Sequence, residues 1–260
     1  MLNIFKKIKR SLKRQGIVKT VWKAIGYPFG TMKRRRFAKD VLGLVSIEDR
    51  FTWIYKNNYW LSNESASGTG SSLKNTENLR KELPALISKF SVTKIFDAPC
   101  GDFNWMIHLL PLINVDYIGG DIVRPLIQGH NQKFKNSKIS FIIIDLIKDD
   151  FPISDLMICR DCLFHLSFAD TRFLLQNFVA SGIPFFLTTT HKQMGDLQNY
   201  DIQTGDFRLI DLFSTPYHFP SKPLAVIDDW VFPDPERQMC LWSREQVIDA
   251  LVRFNQIYSA

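Results

Sequence analysis

Acidic residues are missing from the first 36 positions, which hold twelve Lys or Arg and no Asp or Glu. The 260-residue chain carries a net charge of +7, so the remainder is net −5 (7 − 12). The basic character belongs to an N-terminal arm. The acidic body argues against an extended nucleic-acid surface. Cysteine is scarce: Cys100, Cys159, Cys162 and Cys240 form no disulfide framework. No stretch reads as a secretory signal, so free thiols in a reducing, cytoplasmic compartment are expected. No apolar run approaches the ~20 residues that span a bilayer. A P-loop is missing too, because Lys74 lacks the G-x-x-x-x-G-K-[ST] spacing. Cys159-x-x-Cys162 has no second pair at zinc spacing, so no metal is expected and both read as small core residues.

What is present at the N-terminus is amphipathic. In "MLNIFKKIKRSLKRQGIVKTVWKAIGYPFGTMKRRR", Phe5, Ile8 and Leu12 share one helical stripe, then Val18, Val21, Trp22 and Ile25 repeat it. Gly26 and Pro28 end the pattern. Residues 1–36 are expected to bind an anionic membrane surface, each nearby cation adding about 1 kcal/mol, which would make the protein peripheral on the inner face. A basic arm packed on the domain, a cleaved presequence and a nucleic-acid arm are the alternatives.

Residues 37–90 read as a helical lead-in with Phe51, Ile54, Tyr55 and Trp60 as core or cleft aromatics. Inside it, "SNESASGTGSS", 62–72, is a linker or a lid touching a cofactor. "TENLRKELPALISKF" reads as a helix capped by Thr76. From 91 to 260 strands alternate with helices: "KIFDA", "VDYIGGD", "ISFIIID", "LMICRD" and "PFFLTTT" are strands, "DFNWMIHLL", "RPLIQGHNQKF" and "SFADTRFLLQNFVAS" helices. Near-continuous apolar strands between helices imply an α/β domain with a mostly parallel sheet covered on both faces. "FRLIDL" and "QMCLWS" are candidate further strands.

In such sheets ligands bind beyond the carboxyl ends of the strands. Four acids stand there in succession: Asp97, Asp121, Asp145 and Asp161. Carboxylates are almost never fully buried without a partner, so a set of four points to a site. The first strand leads into "DAPCGDFNW", shaped like a nucleotide-cofactor loop yet holding one glycine, Gly101. Pro99 and Phe103 would obstruct a pyrophosphate, and Asp97 and Asp102 would repel it. A phosphate-free cofactor bearing positive charge removes both objections.

"IFDAPCGDFNW" resembles motif I of class I S-adenosylmethionine (SAM)-dependent methyltransferases, in a Pro-Cys-Gly variant. "YIGGD" is similar to their ribose motif, "FIIID" to the adenine motif, and "DLMICRDCLFHLS" to the motif after strand four. The resemblance covers residues 90–195 and is loosely that of a subgroup tied to bacterial glycan biosynthesis. It implies a Rossmann-like sheet of seven strands with a reversed final hairpin, and SAM as cofactor. It also implies Asp97 and Gly101 at the methionine end, Asp121 at the ribose and Asp145 at the adenine amino group.

Three further residues face the expected acceptor mouth. Asp161 and His165 follow strand four, and His191 follows Thr190 at the end of strand five. Either histidine suits proton removal at neutral pH, and each can equally be a hydrogen-bonded structural residue. The expected activity is O-methylation (EC 2.1.1.-) of a glycan or other membrane-associated small acceptor. The alternatives are an idle SAM-fold binding module and a nucleic-acid methyltransferase.

Overall fold

Strand propensity and burial produce one seven-stranded sheet, ordered β3-β2-β1-β4-β5-β7-β6. The computed structural model describes residues 40–192, 197–232 and 234–258; the basic arm of residues 1–36 lies outside them. Strands β1 (Lys94–Asp97), β2 (Asp116–Asp121), β3 (Ile139–Ile143), β4 (Leu156–Cys159) and β5 (Phe185–His191) are parallel. β7 (Arg237–Ser243) runs antiparallel to β5 and to β6 (Ala225–Asp228). The sheet is therefore mixed, with a reversed strand near one edge.

Successive side chains leave a strand on opposite faces, and that alternation builds two cores. Phe96, Met157 and Phe186 point to one face, against Leu174, Phe178, Val247 and Phe254. Those four come from α5 (Phe168–Ser181) and α6 (Arg244–Tyr258). Ile95, Leu156, Ile158 and Leu187 point to the other face, against Leu79, Leu83, Met106 and Ile127. These belong to α2 (Glu77–Lys89), α3 (Met106–Leu109) and α4 (Arg124–Lys133). A small third cluster around Ile54 belongs to α1 (Ile47–Lys56), which Ser46 caps by accepting from the Asp49 N–H at 3.0 Å.

Three expectations change on contact with the fold. Thr76 stands at the N-cap of α2, but its hydroxyl donates to the Ser72 carbonyl at 2.8 Å and caps no helix N–H. The helix expected over "DFNWMIHLL" is one turn, because Phe103 has φ +62° and Pro111 starts a 3-10 turn at Leu110–Leu112. "FRLIDL" is no strand. It lies along the end of β5 that outruns β4, donating from Leu212 N–H to Thr190 Oγ1 at 3.0 Å and accepting from His191 N–H at Ile210 O, 2.8 Å. The edge strand β6 and the final helix α6 carried no clear signal in the sequence.

After β3 the chain returns to lay β4 beside β1, so order reverses between these two strands. Such a reversal opens a crevice beyond the carboxyl ends, where ligands bind.

Candidate active site

A cleft opens at that reversal, with about 1150 Å³ of empty space counted out to open solvent. That is enough for a nucleoside-sized ligand. Asp97, Gly101, Asp121, Asp145, Asp161 and His165 all line it. So do Phe51, Ile54, Tyr55 and Trp60 from the lead-in segment. His191 does not line it: the ring is 3% exposed, stacks against Phe164, and accepts at Nδ1 from the Ile210 N–H at 3.2 Å. Burial pushes its pKa down to about 4.

The loop after β1 has every N–H engaged. Ala98 donates to Ile158 O and Cys100 to Gly120 O, at 2.9 and 2.8 Å. Gly101 donates to Asp121 Oδ2 at 3.1 Å, and Asp102 to Ser67 Oγ at 2.8 Å. Phe103 donates to Cys100 O at 3.4 Å, Asn104 to Asp102 Oδ1 at 3.3 Å, and Pro99 has no N–H. This loop therefore offers an anion no main-chain donor between Ala98 and Asn104, which agrees with a ligand lacking phosphates. Gly101 sits at φ +53°, and an added Cβ would fall on Ser67 Oγ, so glycine is required. Phe103 does not obstruct the cleft as expected. Its ring is buried among Tyr117, His130, Phe134 and Phe141. His130 donates from Nε2 to the Gly101 carbonyl at 2.8 Å and props the loop from below, a role the sequence did not signal.

The carboxylates differ in their surroundings. Asp97 is 2% exposed and accepts from the Tyr117 hydroxyl at 2.7 Å. Burial lifts its pKa to about 7 against that hydrogen bond and Arg160. Asp121 accepts from Val123 N–H at 3.0 Å as well as from Gly101, yet burial still raises its pKa. A carboxylate has about four acceptor positions, so two remain for ligand donors. Asp145 stands two residues beyond β3, accepting from Ile147 N–H at 3.0 Å and pairing with Lys148 at 3.2 Å. Ile122, Val123, Leu126, Ile144 and Leu146 line an apolar slot between Asp121 and Asp145.

The β4 side holds an ion network that the sequence did not reveal. Arg160 donates from Nε and Nη2 to the two oxygens of Asp229, at 2.9 and 3.0 Å. Nη2 also donates to Gly70 O at 2.8 Å. Asp161 lies 3.4 Å from Arg160 Nη1 and 3.3 Å from Arg237 Nη2. Burial works to raise the Asp161 pKa, but the two guanidiniums outweigh it and hold it low. Arg237 contacts Asp229 at 3.5 Å, an ion-pair distance without hydrogen-bond geometry. Asp161 also has φ +52°, fixed by its N–H donating to Thr189 Oγ1 at 2.9 Å.

His165 ends a 3-10 turn after β4. Its Nδ1 is 2.8 Å from the Asp206 carbonyl. A carbonyl only accepts, so Nδ1 carries the proton and Nε2 keeps its lone pair. The ring packs on Trp60 with centroids 4.9 Å apart, and burial lowers its pKa. The 201–208 stretch buttresses this turn: Gly205 N–H donates to His165 O and Arg208 N–H to Phe164 O.

Residues 62–72 form an ordered strap and not a loose linker. Asp102 accepts from Ser65 Oγ, Ala66 N–H and Ser67 Oγ at 3.0, 2.7 and 3.2 Å. Ala66, Ser67 and Ser71 face the cleft. Cys159 and Cys162 are buried, and burial pushes the Cys159 thiol well up, so it packs as a small apolar group.

A SAM-dependent methyltransferase from Leishmania major superposes on this chain with a TM-score of 0.57, covering 78% of this chain and 88% of its own at 11% identity. The fold is that of the SAM-dependent methyltransferases. A second neighbour, PigF with SAH, gives 0.55 at 11% identity, over 82% of this chain and 68% of its own. Human N-acetylserotonin methyltransferase in complex with SAM gives 0.48 at 17% identity, over 71% of this chain. The chain spans about half of that enzyme, 52%. No family model and no curated protein matches the sequence.

Proposed function

We propose that this chain is a SAM-dependent methyltransferase that methylates a hydroxyl oxygen of a glycan or other membrane-associated small acceptor. The observation that carries the cofactor is the donor set of the cleft. Four carboxylates, an apolar slot and a loop with no free N–H suit a ligand with cationic groups, ribose hydroxyls and no phosphate. The methyltransferase fold of the neighbours supports the same reading.

When bound, SAM supplies a methyl group on a sulfonium sulfur. Asp121 would accept from the ribose hydroxyls with the lone pairs left over from Gly101 and Val123. Asp97 would hold the ammonium of the methionine end, and the apolar residues around Asp121 and Asp145 would hold the adenine. His165 Nε2 would take the proton of the acceptor hydroxyl in the transfer step. Charge is dispersed in that step, so alignment and exclusion of water supply much of the acceleration. The strap and the aromatic wall of Phe51, Tyr55 and Trp60 provide both.

A hydroxyl acceptor is supported by the lowered pKa of His165, which leaves a neutral base at pH 7. A glycan is supported by the aromatic faces beside it, which suit the apolar face of a sugar ring. The membrane setting rests on the basic stripes of residues 1–36. The test is a panel of hydroxyl-bearing saccharides with His165→Gln. Turnover is expected to fall about 10²–10⁴-fold with SAH affinity unchanged. At saturating SAM the wild-type rate should fall on acidification only below the ordinary histidine range, because burial lowers the His165 pKa. Equal turnover by the variant rejects the base, and SAH binding without turnover on any acceptor favours an idle module.

A further inference from the structure

One guanidinium lines a cleft whose acidic groups are four carboxylates: Arg160, among the described residues, is the single Lys or Arg in the lining. We propose that Arg160 holds the α-carboxylate at the methionine end of the cofactor and, with Asp97, reads that end as a zwitterion. The inference rests on the SAM reading above and adds a residue to it.

A bound α-carboxylate needs hydrogen-bond donors or a cation, since burying it alone is costly. The loop that commonly serves anions in related α/β sheets has no donor left from Ala98 to Asn104. Asp97, Asp121, Asp145 and Asp161 repel an anion. Tyr55, Ser71 and Trp105 also line the cleft and carry neutral donors, but Arg160 is the one lining cation that can balance the charge. Its Nε and Nη2 are committed to Asp229 and Gly70, which fix the guanidinium plane. Among the described residues Nη1 makes no hydrogen bond, and it stands 3.4 Å from Asp161 Oδ2 as an ion pair only. The side chain is 4% exposed, so this edge meets the cleft with little water around it.

Position agrees with charge. Arg160 follows β4 and Asp97 ends β1, and these strands are neighbours, with Asp97 paired to Ile158. The two charges interact electrostatically across that step. The guanidinium also lies 5.8 Å from the Trp105 ring, which closes the cleft beside it. An opposed Asp–Arg pair at the bottom of a cleft matches one ammonium and one carboxylate on the same carbon. A phosphate-bearing acceptor would need more cations than the lining supplies.

The experiment compares SAH with its decarboxylated analogue, S-adenosyl-3-thiopropylamine, by calorimetry on the full chain. Wild type should prefer SAH by about 10–100-fold, the worth of a charged hydrogen bond. Arg160→Gln should bring that preference to within about threefold, mostly by weakening SAH. Arg160→Lys should restore part of it. Because Arg160→Gln leaves Asp229 buried without its partner, the double variant Arg160→Gln/Asp229→Asn is measured beside it and should show the same lost preference. A preference retained in both variants overturns the assignment. So does an unchanged preference with turnover alone reduced, which would put the guanidinium on the acceptor. Failure of wild type to bind either ligand rejects the cofactor reading itself, a result distinct from both.

Discussion

The two halves of the cleft floor brace their charges by different means. On the β1–β2 side the main chain does it: Asp121 is held by the Gly101 and Val123 N–H groups, and Asp102 by the Ala66 N–H with two serine hydroxyls. On the β4–β5 side other side chains do it: Asp161 lies between two arginines, and Arg160 on Asp229. Main-chain donors survive any substitution except proline. A side-chain lattice depends on each member, and three of them, Arg160, Asp229 and Arg237, are buried. The first half is therefore robust and locally specified, and the second is cooperative and fragile.

The sharpest way to break that contrast is Asp229→Ala. It leaves Arg160 and Arg237 in the interior with only the half-buried Asp161 between them, and unfolding in urea should show a loss of about 3–5 kcal/mol. Asp121→Ala, in the other half, should weaken SAH binding by about 1–3 kcal/mol. Its urea midpoint should move less than that of Asp229→Ala, because burial already disfavours the Asp121 carboxylate. Equal losses of stability in the two variants would erase the distinction. The smallest change is a slope. Asp97 has a pKa of about 7 in the fold against an ordinary 3.8, so between these values the folded chain holds the extra proton. Stability of the cofactor-free protein should fall as pH rises through that window, by at most about 1.4 kcal/mol per unit. Asp97→Asn should flatten the slope between pH 5 and 7. A slope identical in wild type and variant would mean that Asp97 is ionised throughout.

The same contrast explains what could be read in advance. The five parallel strands are written in contiguous apolar runs, four of which lead to an aspartate, so the place of Asp97, Asp121 and Asp145 at one cleft was legible before any coordinates, as was that of Gly101 in the loop after β1. His165 was legible as a residue just past a strand. His191 was placed at the same mouth because strand length was read as if β5 ended level with β4. β5 instead outruns β4, and "FRLIDL" covers its end. The network of Arg160, Asp229 and Arg237 was invisible because its members come from three distant elements, and none has a local pattern that sets it apart from a surface charge. The strap read equally as a linker or a lid because small polar residues are common in both. Its order comes from Asp102, across 35 residues of chain.

The bond from Arg160 to Gly70 joins positions 90 residues apart, and that from Arg160 to Asp229 joins positions 69 apart. Their bearing is on the order of assembly. A chain emerging from the ribosome only as far as β5 contains every residue that braces the β1–β2 half, yet Arg160 has neither Asp229 nor the support of Arg237. Closing such long loops is entropically slow and comes late in folding. The β4–β5 half is thus completed only when the β6–β7 hairpin docks. The two halves of the cleft floor are finished at different moments in the life of the nascent chain.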